Sequence, residues 1–167
     1  MKSSAKETAP IRTTFSLYAN DLDIVSKLRG ELREQGLRID RVKTLRGLVH
    51  ITAESELLAH TVLQFKADEA KKGPREEEMV DERISVILPA EDKRKLDNVV
   101  DELDLKRIKV SSSYVLRALI RSLPPVATIL KPLTKFTEKQ NAIARELANE
   151  ARAATRAAKA AYAKKKR

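Results

Sequence analysis

The chain has 167 residues, with 34 Lys and Arg against 24 Asp and Glu, and therefore a net charge of +10. It contains no Cys, which excludes disulfides and thiolate metal sites, and no run of about 18–20 apolar residues that would suit a membrane span. The positive charge favours a polyanionic partner, with nucleic acid ahead of a membrane surface.

The first elements follow a short N-terminal arm, residues 1–11, which we expect to be flexible. From Arg12 to Leu17 polar and apolar residues alternate, with Phe15 and Leu17 on one face. This period of two is typical of a half-buried strand. A helical spacing follows, with Val25, Leu28 and Leu32 on one face, and Gly36 is a typical helix stop. A second helix is predicted after Asp40, a favoured N-cap residue, with Leu45, Leu48 and Val49 buried.

Residues 53–82 are predicted to form a further helix and an acidic linker. Leu58, Val62 and Phe65 have helical spacing. The helix fades at Gly73-Pro74, and an acidic run follows at Glu76–Glu78. A solvated linker explains this run better than a pair of catalytic carboxylates.

The next segment repeats the first. Shifting the sequence by 71 residues aligns residues 12–52, here called copy one, with residues 83–123, copy two, without a gap. Nine pairs are identical: Arg12/Arg83, Leu17/Leu88, Ala19/Ala90, Asp21/Asp92, Glu31/Glu102, Leu32/Leu103, Leu45/Leu116, Arg46/Arg117 and Leu48/Leu119. The apolar positions between them also agree, so we predict a structural duplication in which each copy is strand, helix, helix. The end of the first helix is less clear in copy two, where Arg107 replaces Gly36.

Residues 124–167 are predicted to form a proline-containing connector and then a basic helix or tail. Pro124-Pro125 ends the preceding helix, and Pro132 is expected to keep the connector irregular. Thr137-x-x-Gln140 resembles a capping box at the start of the last helix. Of the net charge, +8 lies here, since 11 Lys and Arg face three Asp and Glu.

Neither copy is large enough to bury a core alone. We therefore expect the two strands to pair antiparallel over four helices, in a mainly α fold. Phe15, Leu17, Val86 and Leu88 would face the helices. Polar side chains would cover the outer face, and a two-stranded ribbon of this kind is narrow enough to enter the DNA major groove.

The segments Arg83-Ile-Ser-Val-Ile-Leu-Pro-Ala-Glu and Ser111-Ser-Ser-Tyr-Val-Leu-Arg-Ala-Leu-Ile resemble the strand and second-helix motifs of the ribbon-helix-helix (MetJ/Arc/CopG-like) DNA-binding superfamily. With two units in one chain, the sequence is similar to the tandem form found in TraY-type relaxosome accessory proteins and in a T-DNA processing accessory of Ti plasmids. The resemblance covers the two copies and implies an intramolecular pseudo-dimer of two ribbon-helix-helix units.

The resemblance also implies site residues. The base-contacting residues of the ribbon would be Arg12, Thr14, Ser16, Arg83, Ser85 and Ile87. The phosphate-contacting residues at the starts of the second helices would be Arg41, Lys43, Thr44, Ser111, Ser112 and Ser113. Ile87 departs from the family by being apolar where a polar residue is usual, and Asp40 places a carboxylate near one phosphate site.

The expected function is sequence-specific binding of double-stranded DNA, in transcription regulation or as an accessory of plasmid transfer or T-DNA processing. Expected partners are double-stranded DNA, a relaxase or other DNA-processing protein, and further copies on DNA, with no membrane partner. The expected location is the bacterial cytoplasm, at the nucleoid or a plasmid, since the N-terminus lacks the apolar stretch of a secretory signal.

Other interpretations remain open. The chain could be an antitoxin or other protein-interaction module with secondary DNA binding, or a non-specific nucleic-acid-binding protein that acts through its basic end. The strands could belong to the edge of a small α/β domain, Arg12 and Arg83 could be solvated flanks, and the three Ser could serve only as a helix cap. His50 and His60 have no partners at metal-ligand spacing. The sequence contains no phosphate loop or nucleophile motif, so we expect no enzyme and no cofactor.

Overall fold

A computed structural model describes residues 9–52, 55–72 and 80–165. The elements in chain order are β1 (Ile11–Tyr18), α1 (Ala19–Glu34), α2 (Arg41–Ile51), α3 (Ser55–Lys71), β2 (Val80–Leu88), α4 (Ala90–Leu105), α5 (Ser112–Arg121) and α6 (Val126–Lys165). The described part is thus mainly helical with one two-stranded antiparallel sheet, as the sequence predicts. Most of the predicted N-terminal arm, residues 1–8, and the acidic run of the linker lie outside the described residues.

The two strands form an antiparallel ribbon whose inner face is part of the core. Ile11 faces Leu88 and Leu17 faces Glu82, in a continuous register that is interrupted only between Leu17 and Tyr18. The predicted inward residues Phe15, Leu17, Val86 and Leu88 are fully buried. Because side chains alternate along a strand, this burial turns the intervening residues of β1 and β2 outward.

The first helix of each copy ends in the same way. Gly36 has a φ of +87°, and Arg107, at the aligned position, has a φ of +60°. Behind them, the Leu37 N–H donates to Leu32 O and the Ile108 N–H donates to Leu103 O, both at 2.8 Å. These are Schellman ends, and they settle the end of α4, which the sequence leaves unclear: Arg107 adopts the left-handed conformation that glycine provides in copy one.

The second helices begin where their N-cap residues predict. The Lys43 N–H donates to Asp40 Oδ1 at 2.7 Å at the start of α2, and the Tyr114 N–H donates to Ser111 Oγ at 3.2 Å at the start of α5. Each side chain thereby satisfies one of the backbone donors that a helix start leaves free.

The C-terminal segment differs from the prediction. Pro124 and Pro125 lie in a short non-helical connector, as predicted. Residues 126–165 then form one helix, α6, that passes through Pro132, so the predictions that Pro132 keeps the connector irregular and that the helix starts at Thr137 are wrong. Thr137 is buried within α6, and its hydroxyl donates to Leu133 O at 2.8 Å. The helix continues because Ile129, Leu133 and Phe136 form a buried face, whose packing outweighs the hydrogen bond that proline removes.

Gly47 of α2 is what lets α6 lie so close. A Cβ atom at this position would be 2.5 Å from Leu133 Cδ2 and 3.3 Å from Phe136 Cδ1. At the same 71-residue offset, Leu58, Val62 and Phe65 of α3 align with Ile129, Leu133 and Phe136 of α6. The similarity between the copies therefore extends to a third helix. Moreover, α3 packs on α5 and α6 packs on α2, so each third helix covers the other copy.

Two buried carboxylates also join the copies. Asp21 of α1 is fully buried, and its oxygens accept from Arg117 Nε at 2.8 Å and from Arg121 Nε at 2.6 Å, both on α5. The Tyr18 N–H also donates to Asp21 Oδ2 at 3.0 Å. Arg117 lies over the Tyr18 ring at 3.8 Å from its centroid. Asp21 thus ties the start of α1 to copy two.

Asp92 occupies the aligned position in copy two and is likewise fully buried. Its Oδ2 lies 3.0 Å from His50 Nδ1, on α2 of copy one, and its Oδ1 lies 3.3 Å from Lys95 Nζ. His50 aligns with Arg121. The contact between Asp92 and His50 is therefore the counterpart of the contact between Asp21 and Arg121, with the two copies exchanged.

The C-terminal tail, defined here as residues 143–165 of α6, is exposed at every position for which burial is described. Ile143, Leu147 and Tyr162 are its exposed large apolar side chains. No helix among the described residues is long and apolar enough to cross a membrane.

Candidate nucleic-acid interface

The outer face of the ribbon brings together all six predicted base-contacting residues. They lie in three facing pairs, Arg12 with Ile87, Thr14 with Ser85, and Ser16 with Arg83. The Thr14 and Ser85 hydroxyls share a hydrogen bond of 3.1 Å at the centre. Ser16 is half-buried and the other five are exposed.

This face has a definite chemical pattern. One arginine lies toward each end, on opposite strands, and two hydroxyls lie between them. Paired strands are about 4.8 Å apart, so both rows of side chains fit within a major groove about 12 Å wide. Ile87 is the apolar exception, with 46% of its surface exposed beside Arg12. It offers a methyl surface where the other end of the ribbon offers Ser16.

At the start of α5 the three predicted phosphate-contacting serines differ in role. Ser111 is the N-cap and is exposed, and Ser112 is half-buried. Ser113 Oγ accepts a hydrogen bond of 2.9 Å from the Ser16 N–H. This contact fixes the helix start against the ribbon.

At the start of α2 the arrangement is less favourable for an anion. The Asp40 carboxylate occupies the helix N-terminus as its cap. Thr44 is fully buried, and both its hydroxyl and its N–H donate to Asp40 O, at 2.8 Å and 2.9 Å. In this arrangement Thr44 does not face an anion at the helix start. Lys43 is half-buried and remains a candidate.

Arg41, the remaining predicted contact, forms a bidentate ion pair with Glu82 of β2, in which Nη1 and Nη2 each donate at 2.8 Å. Both side chains are partly exposed. Arg41 therefore connects α2 to the end of the ribbon, and Glu82 competes with a phosphate for its charge. The sequence carries no signal for Glu82, because its aligned position in copy one is Ile11.

A second cluster, at the start of α4, contains side chains of the types that bind metal ions. His50, Glu91 and Asp92 offer ligand atoms within 4.8 Å of one another. However, the Lys95 ammonium group lies 3.3 Å from Asp92 Oδ1, and a positive charge at that distance opposes a bound cation. His50 and Asp92 are better explained as a bridge between the copies, and Glu91 is an exposed residue beside it.

Comparison with protein-family models, with curated proteins and with solved structures finds no match for this chain.

Proposed function

We propose that this chain binds double-stranded DNA sequence-specifically as a single-chain pseudo-dimer of two ribbon-helix-helix units, with the ribbon inserted in the major groove. The observation that carries this proposal is the ribbon itself. Its inner face is buried, and its outer face presents two arginines and three hydroxyls on a narrow surface.

The register supports the pseudo-dimer. Moving each residue to its aligned position in the other copy converts the pair Arg12–Ile87 into Arg83–Ser16, and it converts Thr14–Ser85 into itself. The Asp21–Arg121 contact becomes Asp92–His50 in the same way. These exchanges are what an approximate two-fold axis through the centre of the ribbon would produce.

The side chains suggest what the ribbon would contact. Arginine binds the O6 and N7 atoms of guanine through two hydrogen bonds, hydroxyls either donate or accept, and an apolar side chain contacts a thymine methyl group. Since Ile87 and Ser16 occupy equivalent places, the two halves of the target would differ. We therefore expect an imperfect palindrome with a guanine facing each arginine.

The C-terminal tail would add affinity that does not depend on sequence. Arg145, Arg152, Arg156 and Lys159 are separated by seven, four and three residues and so share one side of the exposed helix. Such a row of cations suits the phosphate backbone, and its contribution would fall steeply with salt.

The proposed roles are transcription regulation or DNA transfer and processing on a bacterial plasmid or mobile element, with a relaxase or further copies as partners on DNA.

A protein-interaction role, as in an antitoxin, has one feature in its favour. An apolar groove of about 410 Å³ lies at the C-terminal ends of α2 and α5, lined by Leu48, Ile51, Leu119 and Leu123 among others. The ribbon contacts the opposite ends of these helices.

Selection from a random pool of duplexes tests the proposal. The full chain should enrich one short, imperfectly palindromic motif. A chain truncated after Asn141 should enrich the same motif with weaker overall binding, because residues 142–163 are exposed and make no part of the core. Enrichment of no motif would favour non-specific binding, and a strictly symmetric motif bound by one chain would contradict the proposed asymmetry.

A further inference from the structure

A concave surface outside the ribbon is lined by three arginines. Arg29 and Arg33 lie one turn apart on α1, and Arg38 lies in the segment that leads to α2. With Ile39 and Asp40 they surround a space of about 340 Å³. We call this the arginine concavity.

The concavity is arranged to hold an anion. Arg29 Nε donates to Ile39 O at 3.1 Å, which fixes the guanidinium group and leaves its two terminal nitrogens to other partners. Arg33 and Arg38 are exposed. Asp40 is the one carboxylate of the lining, and its Oδ1 already accepts from the Lys43 N–H. Three guanidinium groups against one carboxylate favour an anion with several acceptor oxygens, as in a phosphate.

The concavity lies beside the turn that connects α1 to α2, and this turn is linked to the ribbon. Asp40 both lines the concavity and caps α2. The next residue, Arg41, holds Glu82 at the ribbon end where Glu82 faces Leu17. A duplex seated on the ribbon would therefore pass beside this turn, with its backbone nearer to the turn than its bases.

Copy two has no equivalent. The positions that align with Arg29, Arg33 and Arg38 are Val100, Asp104 and Lys109. Val100 packs against the core, while Asp104 is exposed and would repel a phosphate. The arginine concavity of copy one is thus more positively charged than the aligned surface of copy two.

We propose that the arginine concavity binds a backbone phosphate of duplex DNA on the copy-one side of the target, beyond the bases that face the ribbon. This contact rests on the proposed function and deepens it. Because this phosphate contact exists only on the copy-one side, it would favour one of the two orientations of the chain on its DNA site.

The test measures binding of the full chain to the selected duplex as a function of salt. The exposed double variant Arg33→Gln/Arg38→Gln should weaken binding roughly 5- to 20-fold near physiological salt and lower the salt slope by about 1, as expected for one lost phosphate contact. Adding Arg29→Gln should increase the loss. The charge-matched control Lys27→Gln/Lys135→Gln removes exposed charges elsewhere, and it should leave the slope nearly unchanged. Thermal unfolding should match the wild type for the double variant.

Neutral methylphosphonate substitutions along the duplex locate the contact. Substitution at one flank of the motif should weaken the wild type but not the Arg33→Gln/Arg38→Gln variant, whereas the opposite flank should show no such difference. Asp104→Arg should introduce sensitivity at that opposite flank. Equal sensitivity at both flanks of the wild type, or an arginine variant that binds like the control, would overturn the inference.

Two further results distinguish a free small anion from a DNA phosphate as the ligand, and a failure of the concavity contact from a failure of the ribbon contact. Inorganic pyrophosphate that binds the wild type but not the variant, with duplex binding equal in both, would mean a small-anion site and would also overturn the inference. Failure of the ribbon proposal would look different. Then Arg12→Ala/Arg83→Ala would retain motif binding while the arginine-concavity variants were still weakened.

Discussion

Replacing both ribbon arginines, as Arg12→Ala/Arg83→Ala, should abolish sequence preference. A bidentate contact between arginine and guanine contributes about 1–3 kcal/mol of discrimination, so the pair should cost roughly 30- to 10⁴-fold in affinity for the selected duplex. Binding to a random duplex of equal length should change far less, because the phosphate contacts and the C-terminal tail remain. Competition binding of the two duplexes at constant salt measures the ratio.

The matched control is Lys27→Ala/Arg94→Ala, which removes two exposed positive charges from α1 and α4 and leaves the ribbon intact. This control should keep the full specificity ratio. If the ribbon variant retains the ratio as well, the arginines are only solvated flanks and the ribbon does not contact the bases.

Asp21→Asn should destabilise the fold far more than the exchange of an exposed charged residue among those that the structure describes. Asp21 is fully buried, and its partners Arg117 and Arg121 have only 8% and 18% of their side chains exposed. Removing the carboxylate charge takes away the shared counter-ion of two guanidinium groups that solvent hardly reaches, and Glu69, 3.9 Å from Arg117 Nη2, does not contact Arg121. Loss of a buried counter-ion typically costs about 3–5 kcal/mol. Urea denaturation followed by circular dichroism measures the loss of unfolding free energy.

Two variants serve as references for this result. Asp92→Asn should cost less, about 1–3 kcal/mol, because His50 and Lys95 have 30% and 27% of their side chains exposed and can be hydrated. Asp23→Asn, on the exposed side of the same helix as Asp21, should change stability by less than about 0.5 kcal/mol. Equal effects of Asp21→Asn and Asp23→Asn would show that the buried bridge does not hold the copies together.

The sequence predicts the local elements well because each has a strong local cause. Alternation around Phe15 and Val86 identifies the strands, and Asp40 and Ser111 mark the helix starts that the structure confirms. The antiparallel pairing also follows, since neither copy buries a core alone. The duplicated identity of Asp21 and Asp92 indicates a shared role, although the partners of these residues, about 100 and 42 positions away, depend on the tertiary packing.

The missed features depend on contacts between distant segments. Pro132 locally argues against a helix, and the sequence does not reveal that Gly47 leaves space for Leu133. The spacing of Ile129, Leu133 and Phe136 is a signal that could have identified the start of α6, since it repeats that of Leu58, Val62 and Phe65. Glu82 has no counterpart in copy one, so its pairing with Arg41 is not accessible from the repeat.

The most direct test of the central claim, that the ribbon lies in the major groove with its arginines on guanine, is methylation interference on the selected duplex. A methyl group at guanine N7 projects into the major groove and blocks the bidentate contact of arginine. Methylation of one guanine in each half of the motif should prevent binding of the full chain, and the Arg12→Ala/Arg83→Ala variant should be insensitive to it. Binding that tolerates N7 methylation at every guanine of the motif would contradict the account.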